Sequence, residues 1–133
     1  MTAPPLWQLS AAELATLTRT GDVSAESAVA AAVERMRAVN PALNAVVVDT
    51  GDAALERARA LDKARAAGAA PGPLQGVAVT IKINVDQKGE ATSNGMVALK
   101  DVIAPDDAPV VKNLQEAGAV VIDNTSAFRL DPD

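Results

Sequence analysis

Apolar positions along this chain recur with two different periods, and the changes of period mark its elements. Near the start, Ser10 and Glu13 have the spacing of a capping box, Leu9 is placed to staple onto Leu14, and Gly21 supplies a stop, which predicts a helix over about 10–20. From Ser24, the positions Ala25, Val29, Ala32, Val33, Met36 and Val39 form one stripe at helical spacing, with Glu26, Glu34, Arg35 and Arg37 outside it. This predicts a second helix over about 24–39, which Pro41 is expected to prevent from continuing. The β-branched "AVVVD" at 45–49 reads as a short strand, and an Ala- and Arg-rich segment over about 52–67, closed by Gly68, reads as a third helix.

After the chain-breaking stretch "GAAPGPLQG", the period falls to two. Val77, Val79, Ile81, Ile83 and Val85 share one face of a predicted strand at about 77–85, and Ala78, Thr80, Lys82, Asn84 and Asp86 share the other. A polar, turn-rich segment follows to about 108. A helix over about 108–117 is then expected, capped near Asp107, with Pro109 in its first turn and Gly118 after its end. "AVVI" at 119–122 reads as a last short strand. Strands joined through helices imply an α/β fold with a partial, mainly parallel sheet flanked by helices. A sheet of about three strands leaves edges and apolar surface uncovered. The 133 residues therefore read as the first part of one domain, to be completed by a second chain or copy.

Composition narrows the chemistry. Apolar residues make up 49% of the chain, yet it has one Trp, one Phe and no Tyr, so Ala and Val must build a close-packed helix–sheet core. The net charge of −5 disfavours nucleic acid as a partner, because phosphate binding needs clustered cations. No stretch approaches the length of a membrane span, and "MTAPPLWQLS" lacks the regions of a secretory signal, so the expected location is cytoplasmic. With neither Cys nor His, the chain has no thiol nucleophile, no Ser–His–Asp triad and none of the usual zinc ligands. Its acids are scattered, so neither a metal nor a cofactor is expected. Any chemistry must fall to Lys, Ser, Thr, Asp and Glu.

Lys82 is the outlier, an ammonium in the middle of the apolar run Val77–Val85. A lysine on a strand can snorkel, laying its methylenes along apolar surface with its head in water. Alternatively, the strand delivers the amine to a cleft, where desolvation favours the neutral form and makes it a general base. Without His, a lysine is the natural activator for a serine hydroxyl.

"GPLQGVAVTIKINVD" resembles the amidase signature family, whose members carry Gly-x-Pro/Ala-Val-x-x-Lys in this context, and "IAPDDAPVVKNLQEAGAVV" is similar to that family's next block. The resemblance implies an N-terminal segment of a longer amidase-signature domain. It also implies amide hydrolysis or transfer by a Ser–cis-Ser–Lys triad, small-molecule amide substrates, and Lys82 as the lysine that receives the proton. The chain departs from the family in two places. Ile83 stands where an Asp often follows the lysine, and "VVIDNTSAF" replaces the usual Gly-Lys/Arg-Thr-Asn pattern. No Gly-Ser-Ser-Gly-Gly-like segment occurs, so both triad serines are expected elsewhere. Thr92, Ser93 in the turn sequence "TSNG" and Ser126 are the candidate substitutes for them, and none is assigned as nucleophile. Two alternatives to the hydrolase remain: a non-catalytic interaction or scaffold module that pairs with a partner chain, and a fragment of an amidotransferase.

Overall fold

The first two α-helices start on side-chain oxygens that take up otherwise unpaired N–H groups, some local and some distant in sequence. The computed structural model describes residues 3–125. At Ser10 the capping box is complete: its hydroxyl accepts the Glu13 N–H at 3.3 Å and the Glu13 carboxylate accepts the Ser10 N–H at 2.8 Å, opening α1 (Ala11–Thr20). Ser24 caps α2 (Ala25–Leu43) through the Ser27 N–H. A second cap on α2 comes from α3 (Gly51–Ala66), where Asp62 accepts the Ala25 and Glu26 N–H groups, one on each carboxylate oxygen, at 2.8 and 2.9 Å. α4 (Pro109–Glu116) begins with Pro109 at its first position, where the missing N–H costs nothing. Asp107 does not cap it: the preceding residue Ala108 has no side-chain cap, and Asp107 instead accepts the Lys88 N–H at 2.7 Å.

Pro41 does not stop α2. The helix passes it and ends at Leu43, because Pro41 lies in the last turn, where the loss of one N–H bond is offset locally. Asn44 adopts the left-handed conformation with φ 49°, its N–H bonds the Asn40 carbonyl, and the Asn40 side chain accepts the N–H groups of Ala45 and Val46.

β1 (Val46–Asp49), β2 (Ala78–Lys82) and β3 (Val120–Thr125) form one sheet in the order β1–β3–β2. β2 runs parallel to β3, as the helical crossover through α4 requires, whereas β1 runs antiparallel to β3. The α/β class and the flanking helices are as the sequence implies. The sheet is mixed rather than mainly parallel, because its three strands make one pairing of each kind. β2 is shorter than the run 77–85 and ends at Lys82, whereas β3 extends three polar residues beyond Ile122.

The core is made of small side chains. Ala25, Val29, Val33 and Met36 of α2, Ala54 and Ala58 of α3, and Val120 and Ile122 of β3 form one buried cluster. Leu14 and Ala15 of α1, Ala28 and Val77 form a second. Small residues let backbones approach closely, most closely where the loop before β2 meets the turn after α4. There Leu74 N–H bonds Ala117 O at 2.8 Å, Gly76 N–H bonds Gly118 O at 2.9 Å, and Val120 N–H bonds Val77 O at 2.8 Å. The Thr18 hydroxyl of α1 donates to Gln75 O from the other side. These bonds fix the entry of β2 before Lys82 is reached.

Candidate functional site

The C-terminal ends of parallel strands are where α/β sheets place their reactive groups, and Lys82 is the last residue of β2. Its neighbours Ile81 and Ile83 are buried and Lys82 is exposed, so the two-residue alternation holds up to the strand's end. Lys82 pairs in register with Thr125 of β3. Beyond it the chain turns sharply, with Val85 N–H bonding Lys82 O at 2.9 Å. Among the described residues no ion pair includes Lys82.

The loop after Lys82 is tied back onto the sheet and onto itself. Buried Gln87 donates its side-chain N–H to Asp123 O at 3.2 Å, and the Thr92 hydroxyl donates to Asp86 at 2.5 Å. Gly89 N–H bonds Ala104 O, and Ala104 N–H bonds Glu90 O. An open groove of 260 Å³ lies against this strand end, lined by Val47, Val48, Ile83, Ala91, Ser93, Met96, Val97 and Lys100. Ser93 is buried in it, and its hydroxyl accepts the Gly95 N–H at 3.3 Å, the part of a turn residue. Thr92 is occupied by Asp86. Ser126 lies outside the described residues. The structure thus brings Ser93 to the groove beside Lys82's strand without giving it a base among the described residues.

Sequence reasoning missed Asp123, Asn124 and Thr125, which it left beyond the last strand. Asp123 and Asn124 are each 1% exposed, and Asp123 Oδ1 and Asn124 Oδ1 have no hydrogen-bond donor among the described residues. Burial pushes the Asp123 carboxyl up to about 6; a backbone N–H from Ile81 opposes this, and Asp49, its cross-strand partner on β1, adds to it. Asp49 itself is held below the usual carboxylate range by its bond with Arg37, so the two acids ionise apart. The available signal was the parallel partner strand: β2 continues to Lys82, so β3 needed matching length whatever its polarity.

Asp123 makes stability depend on pH. In the unfolded chain an Asp titrates near 3.9. Between about pH 4 and 6 the folded form therefore holds a proton that the unfolded form has lost, and stability falls as pH rises through that window. The loss amounts to on the order of 3 kcal/mol by pH 7. Urea melts at pH 4 and pH 7 are expected to show this loss in the wild type, and Asp123→Asn should reduce it. An unchanged difference in the Asn variant would assign the dependence to other groups.

The arrangement described so far is a lysine at the end of a parallel strand, in a small mixed sheet flanked by helices, with an apolar groove alongside. The amidase family profile matches residues 27–128. The chain is 55% identical over 122 residues to the indoleacetamide hydrolase of Bradyrhizobium diazoefficiens, covering 92% of this chain and 23% of that protein. It is 42% identical over 117 residues to a glutamyl-tRNA(Gln) amidotransferase subunit of Moorella thermoacetica, covering 88% of this chain and 24% of that protein. Among solved structures, the peptide amidase of Stenotrophomonas maltophilia superposes with a TM-score of 0.81 at 32% identity, over 92% of this chain and 25% of that one. The chain belongs to the amidase signature family. It spans about a quarter of the length of the curated relatives it matches.

Proposed function

We propose that this chain is the N-terminal, lysine-bearing part of an amidase-signature hydrolase that cleaves the C–N bond of small amides. Lys82 is its general base. The observation that carries this reading is the position of Lys82, exposed at the C-terminal end of β2 between two buried isoleucines, where a rigid strand presents an amine to whatever covers the sheet. In the proposed reaction a serine from the rest of the domain attacks the amide carbonyl, and its proton passes through a second serine to the lysine amine. The C–N bond then breaks, the leaving amine takes up a proton, and water releases the acyl group.

The remainder of the domain, in the same chain or a separate one, supplies both serines and the backbone donors for the oxyanion. Both edges of the sheet, β1 and β2, have one neighbour each among the described residues, which leaves room for further strands. The relative from Moorella gives specific support to a second reading, in which the assembled protein transfers ammonia as part of an amidotransferase. Among the described residues, no helix is long and apolar enough to cross a membrane.

The test is an assay on small amides with the 133-residue chain alone and with the chain complemented by a serine-bearing remainder. Turnover is expected from the complemented protein and none from the lone chain, since removing the nucleophile and oxyanion donors costs several orders of magnitude in rate. Hydrolysis by the lone chain would move the nucleophile into these residues and overturn the assignment.

A further inference from the structure

We propose that Thr125 is a positioning residue for Lys82, an inference that rests on the reading of Lys82 as the base. Thr125 holds the backbone on both sides of the lysine. Its hydroxyl donates to the carbonyl of Ile81 at 3.3 Å, and its carbonyl accepts the N–H of Ile83 at 2.6 Å. Lys82, in register with Thr125, is bracketed between the two bonds.

The position of β2 in the sheet makes this bracket matter. β2 is an edge strand among the described residues, so β3 alone pairs with it. The strand ends at Lys82, and the chain turns away at Val85. An amine at a strand terminus inherits the freedom of the last peptide units, and here those units are held by one residue of the neighbouring strand. Thr125 is itself anchored from its other side, paired in register with Val46 of β1. Its hydroxyl is thus fixed by a central strand and transmits that rigidity to the edge. A reacting group misplaced by a fraction of an ångström loses rate without losing substrate binding.

Thr125→Val keeps the β-branched shape and the main-chain bond to Ile83 and removes the hydroxyl, whereas Thr125→Ser keeps the hydroxyl. Both are to be made in the complete serine-bearing hydrolase, with Lys82→Ala as reference. The expected result is a kcat about tenfold lower in Thr125→Val with KM unchanged, and recovery of most of that loss in Thr125→Ser. The thermal melting temperature of the Val variant should stay at the wild-type value. Wild-type kcat in Thr125→Val would overturn the inference, as would equal losses in the Val and Ser variants or a loss that follows the melting temperature. If Lys82→Ala remains active, the reading of the base falls and the inference falls with it. If Lys82→Ala is inactive while Thr125→Val is fully active, only the role of Thr125 is lost.

Discussion

Replacing Lys82 by alanine is expected to abolish amide hydrolysis by the serine-bearing protein while leaving the fold of this chain nearly intact. The two halves of that expectation have separate causes. The side chain is exposed and forms none of the ion pairs among the described residues, so its truncation should change stability by no more than about 0.5 kcal/mol. If Lys82 is the general base proposed above, the rate should fall by about 10²–10⁴-fold or more, the contribution of a positioned base acting in the transition state. Lys82→Arg should fail as well. A guanidinium preserves charge and much of the reach, yet stays protonated at every working pH and cannot accept a proton. Amide hydrolysis measured beside thermal melts of the wild type and both variants decides the matter. Full activity in the Arg variant would show that the lysine acts as a fixed cation and not as a base.

Local rules made the helices readable. A capping box needs two residues three apart, and Ser10 and Glu13 form it. The same locality explains the misreading at Pro41. A proline breaks a helix interior, but in the last turn Asn40 and Asn44 provide the bonds that end the helix, so it reaches Leu43. The antiparallel direction of β1 was out of reach, since a strand's partner and its orientation depend on residues far along the chain. The end of β3 was hidden for a different reason. Asp123, Asn124 and Thr125 are polar, and polarity in sequence reads as solvent exposure, while the sheet buries the first two. Lys82 was visible because it violates its own apolar run. Thr125 was not, because its significance comes from lying beside Lys82 across a long stretch of intervening chain, of which the pattern says nothing. A polar residue that departs from local expectation is legible, and one that merely completes a distant geometry is not.

Gly76→Ala is expected to destabilise the chain by about 2–4 kcal/mol, well beyond the cost of its backbone conformation. Gly76 has φ +69°, where a Cβ carries a penalty of about 1 kcal/mol. Here the Cβ would also lie 2.8 Å from Ala25 Cβ, 2.9 Å from Ala25 Cα and 3.2 Å from Thr18 Cγ2. Neither neighbour yields easily. Ala25 is 1% exposed, and its N–H is gripped by Asp62 at 2.8 Å; Thr18 is 1% exposed, with its hydroxyl on Gln75 O. The loop cannot retreat on the other side either, because Gly76 N–H is bonded to Gly118 O at 2.9 Å. Gly68→Ala supplies the control, since Gly68 has φ +91° and open space around a built Cβ, so it isolates the backbone penalty. Urea denaturation of the two variants should separate them by at least about 1 kcal/mol, and equal losses would mean that α1 and α2 move aside freely. The separation bears on function because Gly76 lies two residues before β2, and β2 ends at Lys82. An element that must be seated against two helices by a missing side chain is one whose far end can hold an amine still.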